Sequence, residues 1–207
     1  MNSVSASIPQ ANDRQSLDIT KSKNAIFGKP QATVPTFELI RLIGNTVYEL
    51  LYRLSFEKQY SREGLLNGAN QGAVLLAKSF VSQNWNSIGN LTTEDLLARM
   101  KTERERFTDD EAQKFTYTSD DIVHSFLHST LITGKKVFKI SEQGNIGIYF
   151  TVVSYIRKNS SVPESIDLAE AVGKYKKDIT AVNITFARTL NPLGVWKAVA
   201  FNMFELP

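Results

Sequence analysis

The chain has 207 residues, of which 42% are hydrophobic and 22% charged, a length that suits one globular domain plus a tail. It contains no cysteine, which excludes disulfide frameworks, Cys-based zinc sites, iron–sulfur clusters and thiol catalysis, and fits a reducing compartment. A formal net charge of +3 permits contact with an anionic membrane surface, but falls short of a nucleic-acid-binding signature, so no direct nucleic-acid binding is expected.

Residues 1–35 read as disordered. They are rich in Ser, Asn, Gln and Ala, carry Pro9, Pro30 and Pro35, and offer too little apolar surface to offset ordering entropy. No apolar run of secretory type follows Met1. Ser3, Ser5, Ser7, Arg14, Lys21 and Lys23 give a faint mitochondrial presequence character, which Asp13 and Asp18 oppose.

An amphipathic helix is expected within 36–60, running over Phe37–Leu54 with Thr36 as N-cap. At about 100° per residue, Leu39, Ile43, Val47, Leu50 and Leu54 share one face, flanked by Ile40 and Leu51. Glu38, Arg41, Asn45, Glu49 and Arg53 share the other, with Leu42 the exception. The charges forbid a membrane span, since each costs ~2.5 kcal/mol or more at the bilayer centre. Two destinations fit the apolar face: its own domain, or a membrane or partner groove, with Arg41 and Arg53 nearest the headgroups.

Residues 61–207 are expected to form an α+β domain. A second helix over 63–83 carries Leu65, Ala69, Ala73, Leu76, Ala77 and Phe80 at three- and four-residue spacing. Gly68 and Gly72 within it allow a close neighbour. A third helix starts near Thr92 or Thr93, and its charged end, Lys101, Arg104, Glu105 and Arg106, reads as a solvated face. From about residue 119 the period changes to two. Five strands are expected, near 120–132, 135–141, 145–157, 177–189 and 195–204. The third is apolar on both faces and therefore central. Asn191-Pro192-Leu193-Gly194 matches a type I turn before the last strand. Helices followed by a meander give the α+β class, and a curled antiparallel sheet closed by helices would form a cone with an apolar mouth. Tyr149, Phe150, Trp196 and Phe201 are candidates to line its pocket.

Chemistry-bearing patterns are sparse. His124 and His128 would suit a metal pair on a helix, but on a strand four residues span ~13 Å. Adjacent Asp120 and Asp121 would point to opposite strand faces, and Gly134-Lys135 lacks the upstream glycine of a P-loop. No catalytic residue, metal or cofactor is assigned. A pocket enzyme using His124 and Asp121 is the alternative from another class.

One resemblance emerges from the order of these features. The amphipathic helix is followed by Phe56-Glu-Lys58-Gln-Tyr60-Ser61, the segment Gly68-Ala69-Asn70-Gln71-Gly72, and "SIGNLTTEDLLARMK"; the chain closes on "LNPLGVWKAVAFNMFELP". Residues 37–204 resemble the Tim44-like group of mitochondrial matrix proteins. The Asn191-Pro192-x-Gly194-x-Trp196 ending is similar to that of the import-motor anchor and the ribosomal tunnel-exit member. The front is more similar to the member that interacts with the m-AAA protease. The resemblance implies an NTF2-like cone and a non-enzymatic adaptor, peripheral on the matrix face of the inner membrane. Its implied partners are the m-AAA protease, inner-membrane client proteins (such as the small essential calcium-uniporter subunit), the mitochondrial ribosome and anionic lipid. Against the expectation from the group, the long basic presequence reads as missing or truncated, and a net charge of +3 is low for a tunnel-exit protein.

Overall fold

A computed structural model describes residues 26–27, 39–133, 146–159, 161–163 and 166–206. Three helices come first: α1 (Leu39–Ser55), α2 (Arg62–Ser82) and α3 (Glu94–Arg104). A one-turn helix, α4 (Asp109–Gln113), leads to β1 (Ile122–Thr133) and β2 (Gly147–Arg157). A short α5 (Leu168–Gly173) precedes β3 (Ile179–Thr189) and β4 (Lys197–Glu205). The α+β class, the helices-then-meander order and four of the five expected strands are present. The expected strand at 135–141 lies outside the described residues.

The helix starts follow local chemistry. The Ser61 hydroxyl accepts from the Gly64 N–H at 3.1 Å, and the Thr93 hydroxyl from the Leu96 N–H at 3.4 Å. At α4, Thr108 and Glu111 form a reciprocal capping box. Its two hydrogen bonds from Thr108 hold the Glu111 carboxyl below its ordinary range.

The strands pair antiparallel in the order β1-β2-β3-β4. Among the described residues the sheet is open, with β1 and β4 as its edges, so the expected closure into a cone is not seen at this level. Central β2 is buried from Gly147 to Ile156, as its two apolar faces require. One sheet face meets α2 and α3: Val152, Ile184 and Phe201 pack with Leu76, Phe80 and Met100. Asn70 of α2 adds a polar peg there, accepting from Ser154 at 2.7 Å and Ser125 at 3.0 Å. The other face carries Val153, Tyr155, Ile179 and Phe204, covered by Val162 and by Ala171 of α5.

Three expectations need correction. Arg104 is not part of a solvated face: its side chain is 6% exposed. It donates to the Phe80 carbonyl at 3.1 Å, the Phe107 carbonyl at 2.8 Å and the Asp109 carboxylate. It thereby satisfies main-chain oxygens where α2, α3 and α4 meet. The Asn191–Pro192 peptide is cis, where the sequence pattern predicts an ordinary type I turn. Within the segment expected to be disordered, Ile26 and Phe27 are buried against β4.

The glycines of α2 differ in their surroundings. A Cβ at Gly72 would stand 2.7 Å from Cζ of Phe186, whereas one at Gly68 would meet nothing within 4 Å. Gly68→Ala should therefore stabilise the fold by up to ~1 kcal/mol through helix propensity, raising Tm by ~2–4 °C. Gly72→Ala should cost ~1–3 kcal/mol by overpacking the Phe186 ring. Thermal melts of the two variants check this, and equal shifts would contradict the close helix–sheet contact.

Candidate functional site

α1 lies along the β1 edge with its amphipathicity inverted. The stripe turned to the domain is Asn45, Glu49 and Tyr52, all buried. Each has a specific polar task. The Asn45 carboxamide donates from Nδ2 to the His128 carbonyl at 3.1 Å and accepts from the Thr130 N–H at 2.7 Å. It acts as a one-residue strand, supplying donor and acceptor to an edge that has no neighbouring strand among the described residues. Beside it, β1 bulges between Leu127 and Ser129. Glu49 accepts from the Tyr60 hydroxyl at 2.9 Å and from Arg62 at 3.0 and 2.6 Å. Tyr52 donates to Glu57 at 2.5 Å and accepts from Arg188 at 3.0 Å. Its ring packs edge-on against Tyr60 and Phe150, with centroids 5.3 and 5.7 Å away.

The electrostatics agree with this geometry. Burial raises the Tyr60 phenol well above its ordinary range, and the bond to Glu49 raises it further. Burial likewise raises Tyr52, reinforced by the bond to Glu57 and opposed by the Arg188 charge. The bond to Glu49 raises Arg62. The same hydrogen bonds tie α1 to the start of α2 and to β3.

The opposite stripe of α1 is left outward. Ile43, Val47, Leu50, Leu51 and Leu54 are 48–66% exposed, and Leu42, beside the polar stripe, is exposed as well. Half-burying the five side chains of the stripe would be worth ~4 kcal/mol or more. This is the face that the sequence periodicity marks, and in the described residues it stays exposed beside the domain. Leu39 and Ile40 belong to the helix, but their side chains lie outside the described residues, as do Thr36 and Phe37. Arg53 is exposed. Arg41 is not so placed: its guanidinium lies 3.5 Å from His128 Nε2, turned toward β1. No described helix is long and apolar enough to cross a membrane.

Beside the foot of α1 is a cavity of about 340 Å³, lined by Glu57, Tyr60, Leu65, Gly68, Phe186 and Trp196 among others. Of the four expected pocket residues, only Trp196 reaches it. Phe150 sits behind, its ring stacked 5.6 Å from Tyr60 and 5.5 Å from Trp196. Phe201 belongs to the core beneath α2. Tyr149 lies on the other sheet face with Ala187 and Val199. The strand period explains the split, because Tyr149 and Phe150 are neighbours and point to opposite faces.

His124 and Phe126 also lie on the face away from α2, since they pair with Tyr155 and Val153. Asp121 stands at the entry to β1, with its carboxylate 3.7 Å from Arg157. Burial pushes its pKa up, but hydrogen bonds from Thr118 and the Arg157 charge outweigh this and leave it below the ordinary value. Asp121 borders a second, charged cavity of about 620 Å³ beside Lys114, Arg157, Lys158 and Glu205. The pair His124–Asp121 is therefore not gathered around the Trp196 cavity. Among the described residues no group of three or more His, Asp or Glu side chains could hold a metal ion.

The residues that orient α1 carry no sequence signal beyond their polarity; Asn45 gains meaning only beside a free strand edge. No protein-family model matches the chain, and no curated protein matches its sequence.

The polar clamp makes a prediction. Asn45→Ala should cost ~1–3 kcal/mol, because it strips partners from buried main-chain groups. Leu50→Gln, on the outward stripe, should stay within ~0.5 kcal/mol. Urea denaturation compares them; an unchanged midpoint for Asn45→Ala would contradict the clamp.

Proposed function

We propose that the protein is a non-enzymatic adaptor of the Tim44-like group, peripheral on the matrix face of the mitochondrial inner membrane. In this reading the open sheet with its helices is a version of the NTF2-like cone. The domain binds the m-AAA protease or the mitochondrial ribosome and assists the sorting, insertion or maturation of inner-membrane clients. The small essential calcium-uniporter subunit is one client of this kind. The order of sequence features from Phe37 to Phe204 supports membership of the group.

One observation carries the membrane part. The apolar stripe of α1 faces outward while Asn45, Glu49 and Tyr52 bind the domain. A helix held by its polar side presents its apolar side ready-made, with no unfolding needed for insertion into the headgroup boundary. The +3 net charge and exposed Arg53 add a weak attraction to anionic lipid.

Deleting α1 would also strip the β1 edge, so surface substitution is the cleaner test. Ile43→Gln, Leu50→Gln and Leu54→Gln are combined in one variant. The wild-type protein should float with cardiolipin-containing vesicles and the triple variant should not, with both melting alike. Equal flotation would refute the membrane role of α1. Affinity purification from cross-linked mitochondria tests the adaptor role; recovering neither the protease, the ribosome nor an inner-membrane client would overturn it.

A further inference from the structure

The edge at β4 is finished differently from the edge at β1: Leu91 and Thr93 bond Ala198 at one end, and a piece of the chain's own N-terminal segment covers the Asn202–Met203 end. The Ile26 N–H donates to the Met203 carbonyl at 3.0 Å. Phe27 is held at both its polar main-chain atoms: its N–H donates to Asn202 Oδ1 at 3.0 Å, and its carbonyl accepts from Asn202 Nδ2 at 3.0 Å. Asn202 itself is 4% exposed, and its Oδ1 also accepts from the Met203 N–H at 2.9 Å. The side chains drop into apolar sockets, with Ile26 0% and Phe27 6% exposed. The Arg99 guanidinium of α3 lies 5.1 Å from the Phe27 ring centroid.

We infer that this edge is a recognition groove for a short apolar peptide segment, and that Ile26–Phe27, which sits there in a bend, is its built-in, displaceable occupant. Every hydrogen bond holding the pair is to its main chain. Such bonds give affinity to any flexible segment that can take up the same bend, while two adjacent sockets ask for two consecutive large apolar residues. A buried carboxamide matched to the N–H and C=O of one residue is a device for reading backbone, not sequence. The occupant also has the form of a short linear motif. Ile26–Phe27 is the adjacent pair of large apolar residues within the first 35, set in a polar, lysine-bearing stretch. The partner that fits is therefore an unfolded or flexible client segment with two neighbouring large apolar side chains. The inference does not rest on the membrane reading, because peptide binding is measured in solution without vesicles.

Tethering gives the resident pair an effective concentration of about millimolar order, so the intact chain should resist a free competitor. Ile26→Ser and Phe27→Ser together should vacate the groove. Fluorescence anisotropy with a labelled peptide of residues 22–31 should then show binding at least ~10-fold tighter than to the intact chain. Adding Asn202→Leu should abolish it, and a peptide with Asp at both apolar positions should not bind. A peptide with a Val–Leu pair in unrelated flanks should compete. Equal binding to the intact and vacated chains, or no binding to either, overturns the inference. If the vacated chain does not fold, a protease site placed between residues 30 and 36 replaces it. After cutting, the native segment should exchange with excess labelled peptide, and failure to exchange would overturn displaceability. A dimer formed through mutual exchange of the segment would also count against a client groove.

Discussion

The outer edge of β1 is the constraint on which the position of α1 depends. An edge strand presents main-chain donors and acceptors that need partners, and here the partner is a side chain. Asn45 bonds both the His128 carbonyl and the Thr130 N–H. Once that carboxamide is fixed, helical geometry settles the rest. Glu49 and Tyr52 lie on the same stripe, four and seven residues on, and meet Arg62 and Arg188. Leu50 and Leu54 must then face the other way. The outward apolar stripe is thus a consequence of how the inward one is held.

That order of causes changes what amphipathicity means in this helix. In most surface helices the apolar stripe is the adhesive and the polar stripe faces water. In α1 the adhesive is a buried polar network in which Asn45, Glu49 and Tyr52 each bond named partners. Such networks specify geometry more than they add stability, because breaking one member leaves another unpaired. The Tyr52 and Tyr60 rings stiffen the same junction against Phe150. The membrane reading of the helix therefore depends on a rigid presentation, with the apolar face set before any lipid is met.

Much of the scaffold was legible from periodicity. The switch to period two located β1, β2, β3 and β4, and the double-sided apolar pattern of β2 marked it as central. The helical repeat located α2, and Thr93 marked the start of α3. Less legible were residues whose roles depend on distant partners. Arg104 looked like one member of a charged run, but it meets the Phe80 carbonyl 24 positions away. Ile26 and Phe27 sat in a polar segment whose composition argues for disorder, and only the β4 edge gives them a place. The pocket residues divided because adjacent strand positions face opposite ways, which a list of aromatics cannot encode. The apolar stripe of α1 was visible, but its direction was not, since direction is set by what the polar stripe binds.

The two edges also define a spatial logic for an adaptor. β1 and β4 are the first and last strands of the sheet, so α1 and the Ile26–Phe27 groove lie at opposite sides of it. With neighbouring strands ~4.8 Å apart, three spacings separate the edges by ~14 Å before twist is counted. A lipid surface on α1 and a peptide on β4 would therefore not compete for the same atoms. Both edges are finished by a carboxamide that bonds main chain, Asn45 reaching in from a helix and Asn202 reaching out from the strand. The difference lies in what each carboxamide secures. At β1 it fixes a helix that is also tied by Glu49 and Tyr52, whereas at β4 it grips one residue of a dipeptide through two main-chain bonds, the Met203 carbonyl adding a third. In the proposed reading, the first edge is the permanent mount and the second is where exchange with a partner costs least.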